Sequence, residues 1–100
     1  MIFWIGSTQY AGSSATEIVR KMERDTAHYP QKEGAVRDFI SWSLVNLSDR
    51  LPLRELEVSD KVSDETLALS YLCLLDQYGL GELDTLPDAN ERGLAGIGVS

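Results

Sequence analysis

Thiol chemistry in this chain could use only Cys73 and His28, because each residue type occurs once. A catalytic thiol needs a neighbouring imidazole or other cation to generate the thiolate. Cys73 stands in the leucine-rich run 72–75, where a cysteine behaves as a small hydrophobic residue. His28 follows a predicted helix, where it can interact with the last carbonyls. We therefore predict no catalytic residue, and this cysteine and histidine count excludes an ordinary zinc cluster.

Acidic side chains occur close together at Asp60, Asp64 and Glu65, where paired carboxylates could in principle do acid–base chemistry or bind a cation. An EF-hand loop beginning at Asp60 fails, because Glu65 and Tyr71 would occupy the positions that require glycine and glutamate. Asp64 and Glu65 instead follow Ser63, a good helix N-cap, and their charge complements the helix dipole. We predict a helix start here, with no metal and no cofactor.

Three glycines, Gly93, Gly96 and Gly98, lie near the end of the sequence. A phosphate-binding glycine loop needs a helix after it, whereas only Val99 and Ser100 follow Gly98. We therefore predict no phosphate site, and we expect residues 85–100 to form a mobile, glycine-containing tail with few groups that could offset its ordering entropy.

The charge balance bears on the class of partner. The chain has 100 residues and a net charge of −7, enough length for one compact domain. Residues 55–100 hold 2 basic and 10 acidic side chains. This balance argues against nucleic acid and anionic membranes, and it favours a protein partner with a basic surface. With no export signal, no membrane span and a single cysteine, we expect a cytoplasmic protein.

Three helices are expected to position these groups. They run from Ser14 to before Tyr29 and Pro30, from about Glu33 to Leu51, and between Ser63 and Gly79. Ser14 and Glu17 have the spacing of a capping box. Gly79 is the expected left-handed residue of a Schellman motif that packs Leu80 against the last turn. In the connector Leu53–Val62, charged and aliphatic residues alternate without the clear period of a helix or a strand.

The resulting prediction is an all-α fold, a small three- or four-helix bundle over residues 13–84 with an apolar N-terminal arm over residues 1–12. Helical periodicity gives the expected core, which is Ile18, Val19, Met22, Val36, Ile40, Leu44, Leu47, Leu67, Tyr71, Leu72 and Leu75.

Several apolar side chains fall outside this core pattern and are the candidate partner-binding residues: Trp42, Val45, Leu69, Cys73, Phe3 and Trp4. Trp42 has two interpretations, internal packing under the arm or contact with a partner. Leu69 and Cys73 form a second strip on the third helix, which is either central in the domain or presented to another chain. Phe3 and Trp4 are expected to pack on the bundle, with a free dimerisation arm as the alternative.

The leading functional hypothesis is a small protein-interaction module or adaptor without catalytic activity, and a homodimer remains open. A small enzyme or ligand-binding protein with an interhelical pocket is the first alternative, which a deep pocket with converging polar groups would favour. An acidic protein that imitates nucleic acid is the second, which would require a regular stripe of carboxylates.

Overall fold

A computed structural model describes residues 1–31, 34–51 and 61–84 of the chain. The strands are β1 (Ile2–Ile5), β2 (Thr8–Ala11) and β3 (Glu82–Asp84), and the helices are α1 (Ala15–Asp25), α2 (Val36–Asn46) and α3 (Asp64–Gln77). The strands form an antiparallel sheet in the order β2-β1-β3. α1 and α3 lie against the sheet, and α2 packs against these two helices. The predicted all-α bundle is therefore wrong, and the fold is a mixture of helices and sheet.

The segment predicted as an N-terminal arm is a β-hairpin. Phe3 pairs with Tyr10 across the two strands, and the turn consists of Gly6 and Ser7. Gly6 has a φ of 60°, which the first residue of a two-residue hairpin turn requires and glycine adopts without strain. The Gly, Ser and Thr content of residues 6–12 argues against regular structure, but these residues form this turn and β2.

The predicted helix caps at the N-termini are confirmed in their main contacts. The Ser14 hydroxyl accepts the backbone N–H of Glu17 at 3.2 Å, and the Ser63 hydroxyl accepts that of Thr66 at 3.1 Å. The carboxylate of Glu17 accepts the N–H of Ser13 at 3.0 Å. In a standard capping box it would accept the N–H of the N-cap residue, here Ser14, which is one residue later. α1 and α3 therefore begin where their serines predicted.

The Schellman motif at the end of α3 is also confirmed. Gly79 has a φ of 73°, and its N–H donates to the carbonyl of Asp76 at 3.0 Å. The N–H of Leu80 donates to the carbonyl of Leu75 at 2.8 Å. The chain then enters β3, where the Asp76 carboxylate accepts the N–H of Leu83 at 2.8 Å. This turn directs the residues after α3 onto the free edge of β1.

The core lies between the sheet and the helices and matches the predicted set closely. Of the eleven predicted core residues, Leu47 is half-buried and the other ten are buried. The buried ten are Ile18, Val19, Met22, Val36, Ile40, Leu44, Leu67, Tyr71, Leu72 and Leu75. Phe3 joins them from β1 and is completely buried. A Cβ atom at Gly81 would lie 2.2 Å from the Phe3 ring, so only glycine fits where the chain crosses this side chain.

Contacts between first turns show that the three helices run in the same direction. Glu65 near the start of α3 accepts the N–H of Ala15 at the start of α1, at 2.9 Å. Arg37 near the start of α2 pairs with Asp64 at the start of α3, also at 2.9 Å. Parallel helices place their positive dipole ends together, and Asp64 and Glu65 put negative charge there. The carboxyl ends of all three helices consequently meet at the opposite end of the domain.

Two predicted segments are not part of the described structure. The tail over residues 85–100 lies outside the described residues, and so does most of the connector Leu53–Val62. Within the described ranges, no helix combines the length and the apolar character that crossing a bilayer would need.

Candidate functional site

A groove of about 350 Å³ opens where the carboxyl ends of the three helices meet, and we call it the helix-end groove. Each helix contributes side chains from its last turns, while Ile5 at the hairpin end and Leu80 after α3 complete it. Its apolar walls are Ile5, Met22, Phe39, Trp42, Leu47, Leu75 and Leu80. Side chains from the last turns of all three helices therefore share one groove, to which Phe39 in the first turn of α2 also contributes.

Trp42 joins the groove to an aromatic cluster. Its ring centroid lies 5.2 Å from that of Tyr29 and 6.1 Å from that of Phe39, and Phe39 in turn lies 6.4 Å from Tyr71. Such contacts hold an indole in a fixed orientation. Trp42 is half-buried and lines the groove, so it packs internally on one side and is open to the groove on the other.

The polar groups of the groove are hydrogen-bonded within the chain. The hydroxyls of Ser43 and Tyr71 lie 2.5 Å apart and are buried. The Thr26 hydroxyl and the Asn46 amide each donate, at 2.8 Å, to a backbone carbonyl of the preceding turn. Burial raises the pKa of Tyr71 to about 12, so this hydroxyl stays protonated at neutral pH. These groups do not form an acid–base or nucleophilic constellation.

Arg50 is the only charged residue among the described side chains that line the groove. It follows α2 in a turn in which its N–H donates to the carbonyl of Leu47 at 2.8 Å, and it is exposed. A guanidinium at the edge of an apolar groove can pair with a carboxylate while the apolar walls shield the rest of a bound group.

The face of the sheet that points away from the helices, which we call the outer sheet face, carries different side chains from those of the groove. Phe3 points toward the helices, so its neighbours Ile2 and Trp4 lie on the outer side. Ile2 pairs with Ala11 and Asp84, and Trp4 pairs with Gln9 and Glu82. This face therefore has an apolar middle column, a neutral column on β2 and an acidic column on β3.

The two aromatic candidates of the first strand have separate positions. Phe3 is completely buried in the core, so its side chain is not exposed on the surface of the domain. Trp4 is half-buried on the outer sheet face, so the expectation that both rings pack on the helices holds for Phe3 alone. Alternation along a strand separates neighbours in this way.

The remaining candidates lie on helix surfaces away from the groove. Val45 on α2 is 66% exposed, and Leu69 on α3 is 38% exposed. Cys73, one turn after Leu69, is exposed and free. The strip on α3 therefore faces solvent and is not central in the domain. Within the described parts of the chain, no group of three or more His, Cys, Asp and Glu side chains could hold a metal ion.

Sequence patterns did not point to several groove residues, among them Ile5, Phe39, Asn46, Arg50 and Leu80. Their signal was weak, because the sequence does not show which parts of the elements meet. Leu80 alone was noted, for its packing in the Schellman motif.

No protein-family model, curated protein or solved structure matches this chain. What the groove can bind therefore follows from its own residues. Its walls can remove an apolar group from water, and Arg50 can pair with one anionic group beside it.

Proposed function

We propose that this chain is a small protein-interaction module of the cytoplasm that binds an amphipathic helix of a partner protein. An apolar side chain of that helix enters the helix-end groove, and a carboxylate beside it pairs with Arg50. The observation that carries the proposal is the open apolar groove lined by Trp42, whose polar groups already have partners inside the chain. Helix-in-groove binding uses apolar anchors of this kind.

Partnered polar groups favour an apolar anchor over a polar small molecule. A small-molecule site needs donors and acceptors directed at the ligand, and in this groove Ser43, Thr26 and Asn46 donate or accept within the chain. The volume of about 350 Å³ is also near the lower end of the usual ligand range of about 300–1,000 Å³. The groove thus fits one part of a larger partner better than a complete small ligand.

The net charge of −7 is spread over the chain, whereas Arg50 is a single positive charge at the groove. Screening at physiological salt limits interactions between exposed charges to about 8 Å. The acidic surface can therefore attract a partner that is basic overall, while Arg50 selects a carboxylate only in the groove itself.

A small-ligand-binding protein is the second candidate, and one observation favours it. The hydroxyl pair of Ser43 and Tyr71 belongs to the groove lining, and each oxygen retains acceptor capacity. The nucleic-acid mimic receives no such support. Asp64 pairs with Arg37 and Glu65 caps α1, so these carboxylates bind within the fold and do not form a displayed stripe.

The proposal can be tested with a displayed library of helical peptides whose apolar and charged positions are randomised. We expect the selected peptides to combine a large apolar residue with Asp or Glu one turn away. Asn46→Phe fills the groove from an exposed position at the end of α2 and should abolish binding. Val45→Phe adds the same side chain one residue earlier, outside the groove lining, and should leave binding unchanged.

Charge reversal tests the role of Arg50 separately. Arg50→Glu should weaken the selected peptides by about 10-fold or more, because a paired carboxylate would then face a like charge. Arg20→Glu, an exposed position on α1, changes the net charge equally and should have little effect. Selection of peptides without an apolar anchor, or equal effects of Asn46→Phe and Val45→Phe, would contradict the proposal.

A further inference from the structure

A second depression, of about 320 Å³, lies where the hairpin meets the residues that follow α3, and it includes Trp4 and Glu82 of the outer sheet face. Its lining consists of Trp4, Gly6, Gly79, Leu80, Gly81 and Glu82. Trp4 and Glu82 are direct partners across β1 and β3, and the Cβ atoms of such a pair lie about 4.5–5.5 Å apart. The depression therefore has an aromatic side chain next to a carboxylate, with glycine backbone beside them.

The glycines keep this depression open. A Cβ atom added at Gly79 would meet no atom within 4 Å, and the same is true at Gly6. The absence of side chains at these positions leaves room beside the indole of Trp4, which is half-buried. A ligand group can therefore reach the ring and the backbone of the turn together.

The electrostatic environment of the depression is negative. Glu82 and Asp84 lie side by side on the outer sheet face, whose described residues include no cation. α3 ends at this place, and its last turn contains no basic residue to offset the partial negative charge of the terminal carbonyls. Lys21, which donates to the carbonyl of Ala11, lies at the β2 edge on the other side of the sheet. A positively charged group is what this surface complements.

We propose that the depression binds the side chain of an arginine from a partner protein. A planar guanidinium can stack on the indole of Trp4 while its N–H groups donate to the carboxylate of Glu82. The ammonium of lysine is a compact, strongly hydrated charge that cannot make both planar contacts. Arginine thus uses the aromatic ring, the carboxylate and the open backbone in one arrangement.

This inference goes beyond the function proposed for the helix-end groove. Among the described residues, Leu80 alone belongs to both linings. A partner that fills one site need not fill the other, so variants of each site separate the two proposals.

The experiment uses the full chain labelled with ¹⁵N and the blocked tripeptide acetyl-Gly-Arg-Gly-amide as the probe. The indole N–H signal of Trp4, identified with a Trp42→Phe variant, should shift with saturation in the millimolar range. Two control peptides should each bind at least about 10-fold more weakly than the arginine peptide. One contains citrulline, an uncharged analogue of nearly the same shape, and the other contains lysine.

Two carboxylate variants provide the matched comparison. Glu82→Gln should weaken the arginine peptide by about 10-fold, since it removes the charge that pairs with the guanidinium. Asp84→Asn removes an equal charge from the same face of the same strand, but outside the lining, and should change affinity by less than about 3-fold. Asn46→Phe should not alter binding, because the groove is a separate site.

Five results would overturn the proposal, of which four concern the probes, the carboxylate variants and the signals that shift. They are a citrulline peptide that binds as well as arginine, a lysine peptide that binds as well as arginine, equal losses in Glu82→Gln and Asp84→Asn, and shifts confined to Trp42. Loss of binding in Asn46→Phe alone would also overturn it, because the probe would then occupy the groove.

Discussion

Glu65 caps the helix that begins at Ala15, although the two residues are 50 positions apart in the sequence. One carboxylate oxygen accepts the N–H of Ala15 at 2.9 Å, and the other accepts the N–H and the hydroxyl of Thr16 at 3.0 and 2.8 Å. Partial burial works against ionisation, but these hydrogen bonds prevail and lower the pKa of Glu65. A side chain of α3 thereby fixes where α1 starts.

Replacing Glu65 with glutamine should destabilise the protein by about 1 kcal/mol at pH 7, because the amide keeps one acceptor oxygen but loses the second one and the negative charge that a helix start favours. A lowered folded-state pKa means that the stabilisation is present above the ordinary value of 4.5 and is lost as pH falls through the lowered value. The difference in unfolding free energy between the wild type and Glu65→Gln, measured in urea, should therefore be smaller at pH 3 than at pH 7. Asp49→Asn, at an exposed turn, is the control, and a difference independent of pH would contradict the prediction.

The buried hydroxyl pair should show strong coupling. Tyr71→Phe leaves the Ser43 hydroxyl without its partner, and Ser43→Ala does the same to Tyr71, so each should lower the free energy of unfolding by about 1–3 kcal/mol. The double variant should lose less than the sum of the single losses, because no buried hydroxyl is left unpaired. A double-mutant cycle in denaturant checks this, and additive losses would exclude coupling.

Stability at high pH should depend on Tyr71. Burial raises its pKa from 10.0 to about 12, so its contribution is present below pH 10 and is lost as pH rises toward 12. Tyr71→Phe, compared with its own stability at pH 8, should lose less between pH 10 and 12 than the wild type does. Absorbance of the tyrosinate ion during the titration gives the pKa directly, and ionisation of Tyr71 at its ordinary pKa would contradict the expectation.

The two glycines after α3 should differ in their tolerance of alanine. Gly81→Ala places a Cβ atom 2.2 Å from the buried Phe3 ring, and such overpacking typically destabilises by about 1–3 kcal/mol. In Gly79→Ala the new Cβ atom meets no other atom, but alanine must adopt the positive φ of this position. This conformation should destabilise the protein by about 1–2 kcal/mol. Phe3→Leu should relieve part of the first effect and none of the second. Thermal unfolding of the three single and two double variants measures this, and equal rescue of both glycine variants would contradict the packing explanation.

Leu69 and Leu72 offer a matched test of the solvent-facing strip on α3. Leu72 is completely buried, so Leu72→Glu places a charge in the core and should unfold the protein, whereas Leu69 is 38% exposed and Leu69→Glu should leave it folded. Circular dichroism measures folding, and sedimentation shows whether Leu69→Glu also reduces self-association. Unfolding of the Leu69 variant would show that this strip is central after all.

Local chemistry allowed much of the fold to be predicted. The three helices follow from periodicity, from the caps at Ser14 and Ser63, and from the left-handed Gly79. The sheet could not be predicted in the same way. β1 is apolar on both faces, so residues 2–5 show no alternation, and its pairing with β3 joins segments about 80 residues apart.

The candidate site was accessible only in part. Trp42 was identified because it falls outside the core stripe of its helix, and this left two interpretations, internal packing under the arm or contact with a partner. Asn46 and Arg50 were not identified, because their importance depends on which helix ends meet. That arrangement is fixed by contacts such as Glu65 with Ala15, which no local pattern reveals.

The central position of β1 has a consequence for the order of events during synthesis. The hairpin partner β2 follows it within a few residues, but its other neighbour, β3, ends at residue 84, after all three helices. One edge of an apolar strand therefore stays unpaired while most of the chain is being made, and such edges readily join other chains. Nascent or refolding protein should accordingly be most prone to aggregate before residues 82–84 dock, and truncation ahead of Glu82 should make that vulnerability permanent.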